Sequence, residues 1–148
     1  MVRTVIALFT LLTVVTTATS RATDEDPASS RMSVNDLMLT LVAPATDTLW
    51  GIVDPRSDAD WQVFIDAADA VIAAGAALRQ GGAGPNDDEW ATDPAWRTFV
   101  DRLVDAAKVA REAAGNKDLD GMYTAGEIIY TPCEECHIRF HPGVQGFE

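Results

Sequence analysis

Apolar residues recur along this chain at three- and four-residue intervals, and nothing alternates with period two over a useful length. The first pattern lays a stripe along an α-helix, whereas the second would mark strands, so four helices and no strands are expected. The first helix spans Ser33 to Val53. Ser33 is its N-cap, Asp36 a weak capping-box partner three residues on, and Leu37, Leu41, Thr48 and Ile52 fall near one stripe. Pro44 lies inside it, removes a backbone donor and predicts a kink. Asp54-Pro55 ends it.

The second helix starts at Ser57 or Asp58 and runs to about Arg79, with Trp61, Phe64, Ile65, Ala68, Val71, Ile72, Gly75 and Leu78 at helical spacing. Gly81-Gly82-Ala83-Gly84-Pro85-Asn86 then breaks the chain. The third helix takes Thr92 or Asp93 as cap and Pro94 in its first turn, a favoured arrangement. Its stripe is Trp96, Phe99, Val100, Leu103, Val104, Ala107 and Ala110, and it ends near Gly115-Asn116. The fourth starts between Asp118 and Asp120, with Met122, Tyr123, Gly126, Ile129, Tyr130, Cys133, Cys136 and Phe140 expected to face inward. Pro132 interrupts its hydrogen bonding, and His141-Pro142-Gly143 stops it. Amphipathic helices joined by mostly short links predict an all-α, antiparallel up-down-up-down four-helix bundle over residues 33–148.

The start of the chain reads differently. Arg3 precedes a short apolar run, Val5 to Val15, whose character thins at Thr16 to Ser20. That run is shorter than the ~20 residues needed to span a bilayer, and Ser20-Arg21-Ala22 fits a small-x-small cleavage site. Residues 1–22 are thus expected to be a signal peptide cleaved before Thr23, a cut after Ala18 or Ser20 also fitting, with export to a periplasm and no membrane span in the mature form; the alternative is an uncleaved anchor. Residues 23–32, polar and carrying Pro27, make a flexible leader. Losing Arg3 and Arg21 but no acid would take the net charge from −12 to −14. No basic footprint exists for nucleic acid. An acidic surface favours solubility and steers toward basic partners.

Both cysteines of the chain lie in one motif, Cys133-Glu134-Glu135-Cys136-His137. Two cysteines separated by two residues and followed by His on a helix present both thiols and an imidazole to one side. This is the attachment signal for haem c, with thioether bonds from Cys133 and Cys136 and His137 as the proximal iron ligand. A structural zinc site normally takes two separated ligand pairs, and there is no second pair. A thioredoxin-like thiol pair needs a βαβ context that is missing.

The motif lies near the C-terminus, on the last of four helices, with Phe140 three residues after the His. In that respect the chain resembles the class II cytochromes, the cytochrome c′ and cytochrome c-556 family. It does not resemble the mitochondrial-type proteins, whose motif comes early and whose distal Met comes later. The resemblance covers most of residues 33–148. It departs at His141, where the family typically has Arg. It implies one covalent haem in a four-helix bundle, and a sixth iron position filled from the first helix by a Met in the low-spin branch or covered by an apolar side chain in the high-spin branch. Asp36-Leu37-Met38-Leu39 is the matching place, so Met38 is the candidate distal ligand. The alternative is that Met38 packs in the core and Leu37 or Leu41 covers an open iron.

Other candidates are weaker. Met32 precedes the helix, and Met122 lies about 22 Å from His137 along one helix at 1.5 Å per residue. His141 is one turn beyond His137, on the proximal side, and is read as solvated or near a haem propionate. Arg97, Lys108, Arg111 and Arg139 are the candidate propionate partners, and Trp50, Trp61 and Trp96 are read as core. No Ser/His/Asp set, phosphate-binding glycine motif or second haem motif occurs, so no enzyme activity is expected.

The expected function is electron transfer by a monohaem c-type cytochrome among periplasmic or respiratory redox proteins. The alternative is five-coordinate haem that binds NO or CO, and a third reading makes the bundle a docking subunit of a larger complex. The family's habit of pairing through its first two helices makes a homodimer a candidate assembly.

Overall fold

The computed structural model describes residues 31–141 of the 148-residue chain. The expected signal peptide, most of the leader and the Pro142-Gly143 stop lie outside the described residues. Among the described residues the protein is all-helical and has no strand.

The first helical rod is built in three parts: α1 (Val34–Leu37), a π-helical turn (Met38–Val42) and α2 (Ala43–Trp50), with right-handed helical backbone at both joints. Ser33 caps it by accepting the Asp36 N–H at 3.0 Å. Pro44 falls in the first turn of α2, where its missing N–H costs little. The expected proline kink is therefore expressed as a π turn immediately before it, a recognised way for a helix to absorb an interruption. The wider turn also shifts the register. After Leu37 the next buried residue is Val42 and not Leu41, which is 39% exposed, and the stripe continues through Ala45, Leu49 and Ile52. The expected Leu41–Thr48 stripe is corrected on that ground: an α-helical phase was carried through a turn that holds one residue more. The rod also ends at Trp50, before the expected Val53.

α3 (Asp58–Leu78) opens with a full capping box. The Ser57 hydroxyl accepts from Asp60 N–H, and the Asp60 carboxylate accepts from Ser57 N–H. α4 (Asp87–Thr92) is a short helix the sequence pattern did not predict. α5 (Pro94–Gly115) starts with Asp93 accepting from Ala95 N–H and Pro94 at its first position. α6 (Leu119–Phe140) starts with Asp118 accepting from Gly121 N–H and passes through Pro132.

The core is one cluster. Trp61, Val71, Ala74 and Leu78 of α3 meet Trp96, Val100, Leu103 and Ala107 of α5, and Met122, Ala125 and Ile129 of α6 complete it. Each fully buried Leu, Ile or Met contributes roughly 1.5–3 kcal/mol relative to exposure. α3 and α5 pack closely at Gly75, where an added Cβ would lie 2.1 Å from Cγ2 of Val104. α3 packs on α2 and α5, α5 on α6, and α6 returns to α2. By length and composition α3 is also apolar enough to cross a membrane, although 39% of its apolar window is buried within the protein.

Three inward-facing expectations need correction. Tyr123 and Tyr130 are exposed, because the buried face of α6 is the row Met122, Ala125, Ile129, Pro132 and Cys136, to which both tyrosines are offset by one residue. Trp50 is 36% exposed and lies over α6, its indole N–H donating to the Gly126 carbonyl at 3.0 Å.

Candidate functional site

Cys133, Cys136 and His137 fall in the last two turns of α6, after Pro132. The two cysteines are one turn apart and show on one face, Cys136 buried and Cys133 half-buried. Both are free thiols. The half-buried His137 follows directly and continues that face.

That face looks onto two adjoining cavities. The inner one is small, about 20 Å³, and is lined by Leu78, Phe99, Leu103 and Cys133 among others. The outer one is about 340 Å³, within the range of cofactor pockets, and is bounded by α1, the 84–87 segment and the end of α6. Met38, Trp96, Cys136 and His137 line both. The structure therefore brings together all four residues singled out for haem and iron: Cys133, Cys136, His137 and Met38. Met38 arrives from the first residue of the π turn, at the opposite end of the described chain from α6.

An aromatic wall stiffens this region. The Phe140 ring stands edge-on to Trp96, with centroids 5.2 Å apart, and to Trp90 at 5.9 Å, while Trp90 and Trp96 stack at 5.6 Å. Trp96 is pinned by its indole N–H, which donates to the Leu78 carbonyl at 2.8 Å. Phe140 was visible in the sequence as the aromatic after the motif, but Trp90 was not, because it belongs to the unpredicted α4. Its signal was available, since an aromatic next to a strong helix start rarely stays in solvent.

The remaining candidates are placed as follows. Met32 is 43% exposed and does not line either cavity. Leu37 is buried in the core and Leu41 is on the surface, and neither lines these two cavities. The exposed His141 stands at the outer cavity, its ring 6.5 Å from that of His137. Arg139 donates to Asp93 at 2.8 Å and lies 5.4 Å over the Phe140 ring, and Arg97 donates to the Ala91 carbonyl, so both sit beside the aromatic wall. Lys108 pairs with Asp105 and Arg111 with Asp69 of α3, and neither lines a cavity.

Electrostatics favours neutral groups here. Burial pushes the Cys133 thiol up to about 11, and burial together with Cys133 pushes Cys136 up to about 12. Redox-active thiol pairs need the opposite shift, a depressed value that supplies thiolate. Burial first, and then the neighbouring His141, holds His137 below its ordinary value. Its imidazole is therefore neutral at pH 7 and keeps a lone pair, the form in which histidine ligates metals. Among the described residues no group of three or more His, Cys, Asp or Glu side chains is arranged around a bare metal ion.

Compared with protein-family models, curated proteins and solved structures, the chain matches none.

Proposed function

We propose that this chain is an exported monohaem c-type cytochrome that transfers electrons, with haem c held by thioethers from Cys133 and Cys136, His137 as proximal iron ligand and Met38 as distal ligand. The observation that carries the reading is the convergence of Met38 with Cys136 and His137 on one apolar cavity from opposite ends of the described chain.

The residues present fit the group. Two neutral, adjacent thiols suit addition to the two vinyl groups of a porphyrin, and the neutral imidazole suits iron. The apolar wall of the outer cavity, with Trp90, Trp96 and Phe140, suits the macrocycle's faces. When bound, haem c supplies a one-electron couple between ferrous and ferric iron. The chain's own residues hold it, exclude water from one side and tune it through the thioether ligand that Met38 offers.

Around this site, the ring of contacts from α2 to α3, α5, α6 and back to α2, with short links at 51–57 and 116–118, supports the antiparallel four-helix bundle. The class II cytochrome resemblance adds the same architecture. Partners would be periplasmic or respiratory redox proteins with basic docking faces, given the chain's charge of −12.

The test is an absorption spectrum of the reduced, haem-loaded protein with and without CO, alongside a redox titration. Met38 ligation predicts a low-spin ferrous spectrum that CO leaves largely unchanged, and a single one-electron wave. Rapid CO binding to high-spin ferrous protein would instead establish the gas-binding alternative.

A further inference from the structure

Outside the cysteine–histidine motif, one carboxylate is buried at the edge of the same cavity. Asp87, the first residue of α4, is only 3% exposed. Its Oδ2 accepts the Val34 N–H at 2.8 Å and the Gly84 N–H at 2.8 Å. A Cβ built at Gly82 or Gly84 would come within 2.5 or 2.6 Å of the carboxylate oxygens, so only glycine lets the loop wrap this closely. Three further links run between the same parts of the chain. Ala83 N–H donates to the Met32 carbonyl at 3.3 Å, and the Arg31 guanidinium donates to the Gln80 carbonyl at 3.2 Å and to Asp88 at 3.1 Å. Val34 opens α1, and Met38 stands one turn further on. Val34, Met38, Gly84 and Asp87 all line the outer cavity.

We propose that Asp87 is a positioning residue for the distal side of the site: its buried carboxylate pins the head of α1 to the 81–86 loop and thereby holds Met38 at the cavity it shares with His137. This role rests on the haem reading above. Hydrogen bonds to an ionised acceptor are the stronger kind, and a buried group that loses its partner bears the full desolvation penalty. Among the described residues, the other hydrogen bonds tying the 31–38 segment to the body of the protein are those of the exposed Arg31 side chain and of the Met32 carbonyl. With the carboxylate gone, the head of α1 loses its buried anchor and opens more readily, held only by the packing of Val34 and Leu37 and the Arg31 and Met32 bonds, while the thioethers on α6 are untouched.

The experiment compares haem-loaded wild type with Asp87→Ala and Val34→Pro, reading ferrous CO binding and amide hydrogen exchange at residues 34–38. Val34→Pro breaks the clamp from the α1 side: it removes the donor and sets the ring Cδ against the Asp87 carboxylate, whose oxygen lies 2.8 Å from that nitrogen. Proline is favoured at the first helical position, and Ser33 already has the extended backbone (φ −70°, ψ 159°) that a residue before proline requires. Both variants are expected to keep covalent haem and unchanged exchange in α5. Exchange at 35–38 should be roughly ten-fold faster, as the loss of one strong hydrogen bond implies, and the ferrous form should now bind CO. Unchanged exchange in both variants overturns the proposal, and if Asp87→Ala does not fold, Val34→Pro decides. Wild type that itself binds CO contradicts Met38 ligation and not the clamp, which is then judged on exchange alone: faster in the variants upholds it, unchanged overturns it.

Discussion

At the scale of single residues, Met38 and Trp96 carry different burdens. Met38 is half-buried and touches the cavity from the π turn, so on the proposed function truncating it removes the distal ligand and little of the core. Met38→Ala is expected to keep covalent haem and to turn the ferrous spectrum high-spin, with CO binding appearing; absorption spectroscopy checks it. Trp96 is fully buried and holds the Leu78 carbonyl. Trp96→Phe keeps part of the packing against Phe140 but removes the stronger of that carbonyl's two bonds, leaving it the Gly81 N–H at 3.3 Å, a loss of about 0.5–1.5 kcal/mol in urea unfolding. The chemistry-bearing residues were legible because Cys133, Cys136 and His137 form a contiguous motif with one dominant meaning. Asp87 was not, since its partners Val34 and Gly84 are distant or hidden in a glycine-rich stretch that reads only as a break.

The helical elements divide along the same line. α3, α5 and α6 start where Ser57, Asp93 and Asp118 announce them, because side-chain caps act within three residues and can be read locally. The phase of the first rod could not be read in this way, since a π turn before Pro44 moves the buried stripe from Leu41 to Val42 without a local signal. α4 escaped notice because six residues give too little periodicity to detect. Gly75 looked like any member of an apolar stripe, yet its α3–α5 contact leaves no space for a methyl group. Gly75→Ala should therefore destabilise by about 1–3 kcal/mol through overpacking, despite alanine's better helix propensity, and a lowered Tm in calorimetry would report it. A raised Tm would mean that Val104 yields freely.

On the scale of the whole molecule, acid should weaken the fold. Lys117 holds the Asp58 carboxyl below its ordinary value, the Arg56 and Ser57 N–H groups together with the Ser57 hydroxyl do so for Asp60, and the Ala95 N–H does so for Asp93. A carboxyl lower in the folded than in the unfolded chain adds stability above its unfolded value and loses it as pH falls through the folded one. The urea midpoint should accordingly drop between neutral pH and about pH 3, below the unperturbed Asp value of roughly 3.9. Asp60→Asn should flatten part of that fall, and a midpoint insensitive to acid would contradict the capping account.

The whole account turns on covalent haem. The most direct measurement is the intact mass of the denatured protein, made in a host that matures c-type cytochromes, together with its reduced pyridine spectrum. One haem per chain that survives denaturation in the wild type, and is lost when Cys133 and Cys136 are both replaced by Ala, is the predicted result. A polypeptide mass without haem, with both thiols still free to react, would contradict it.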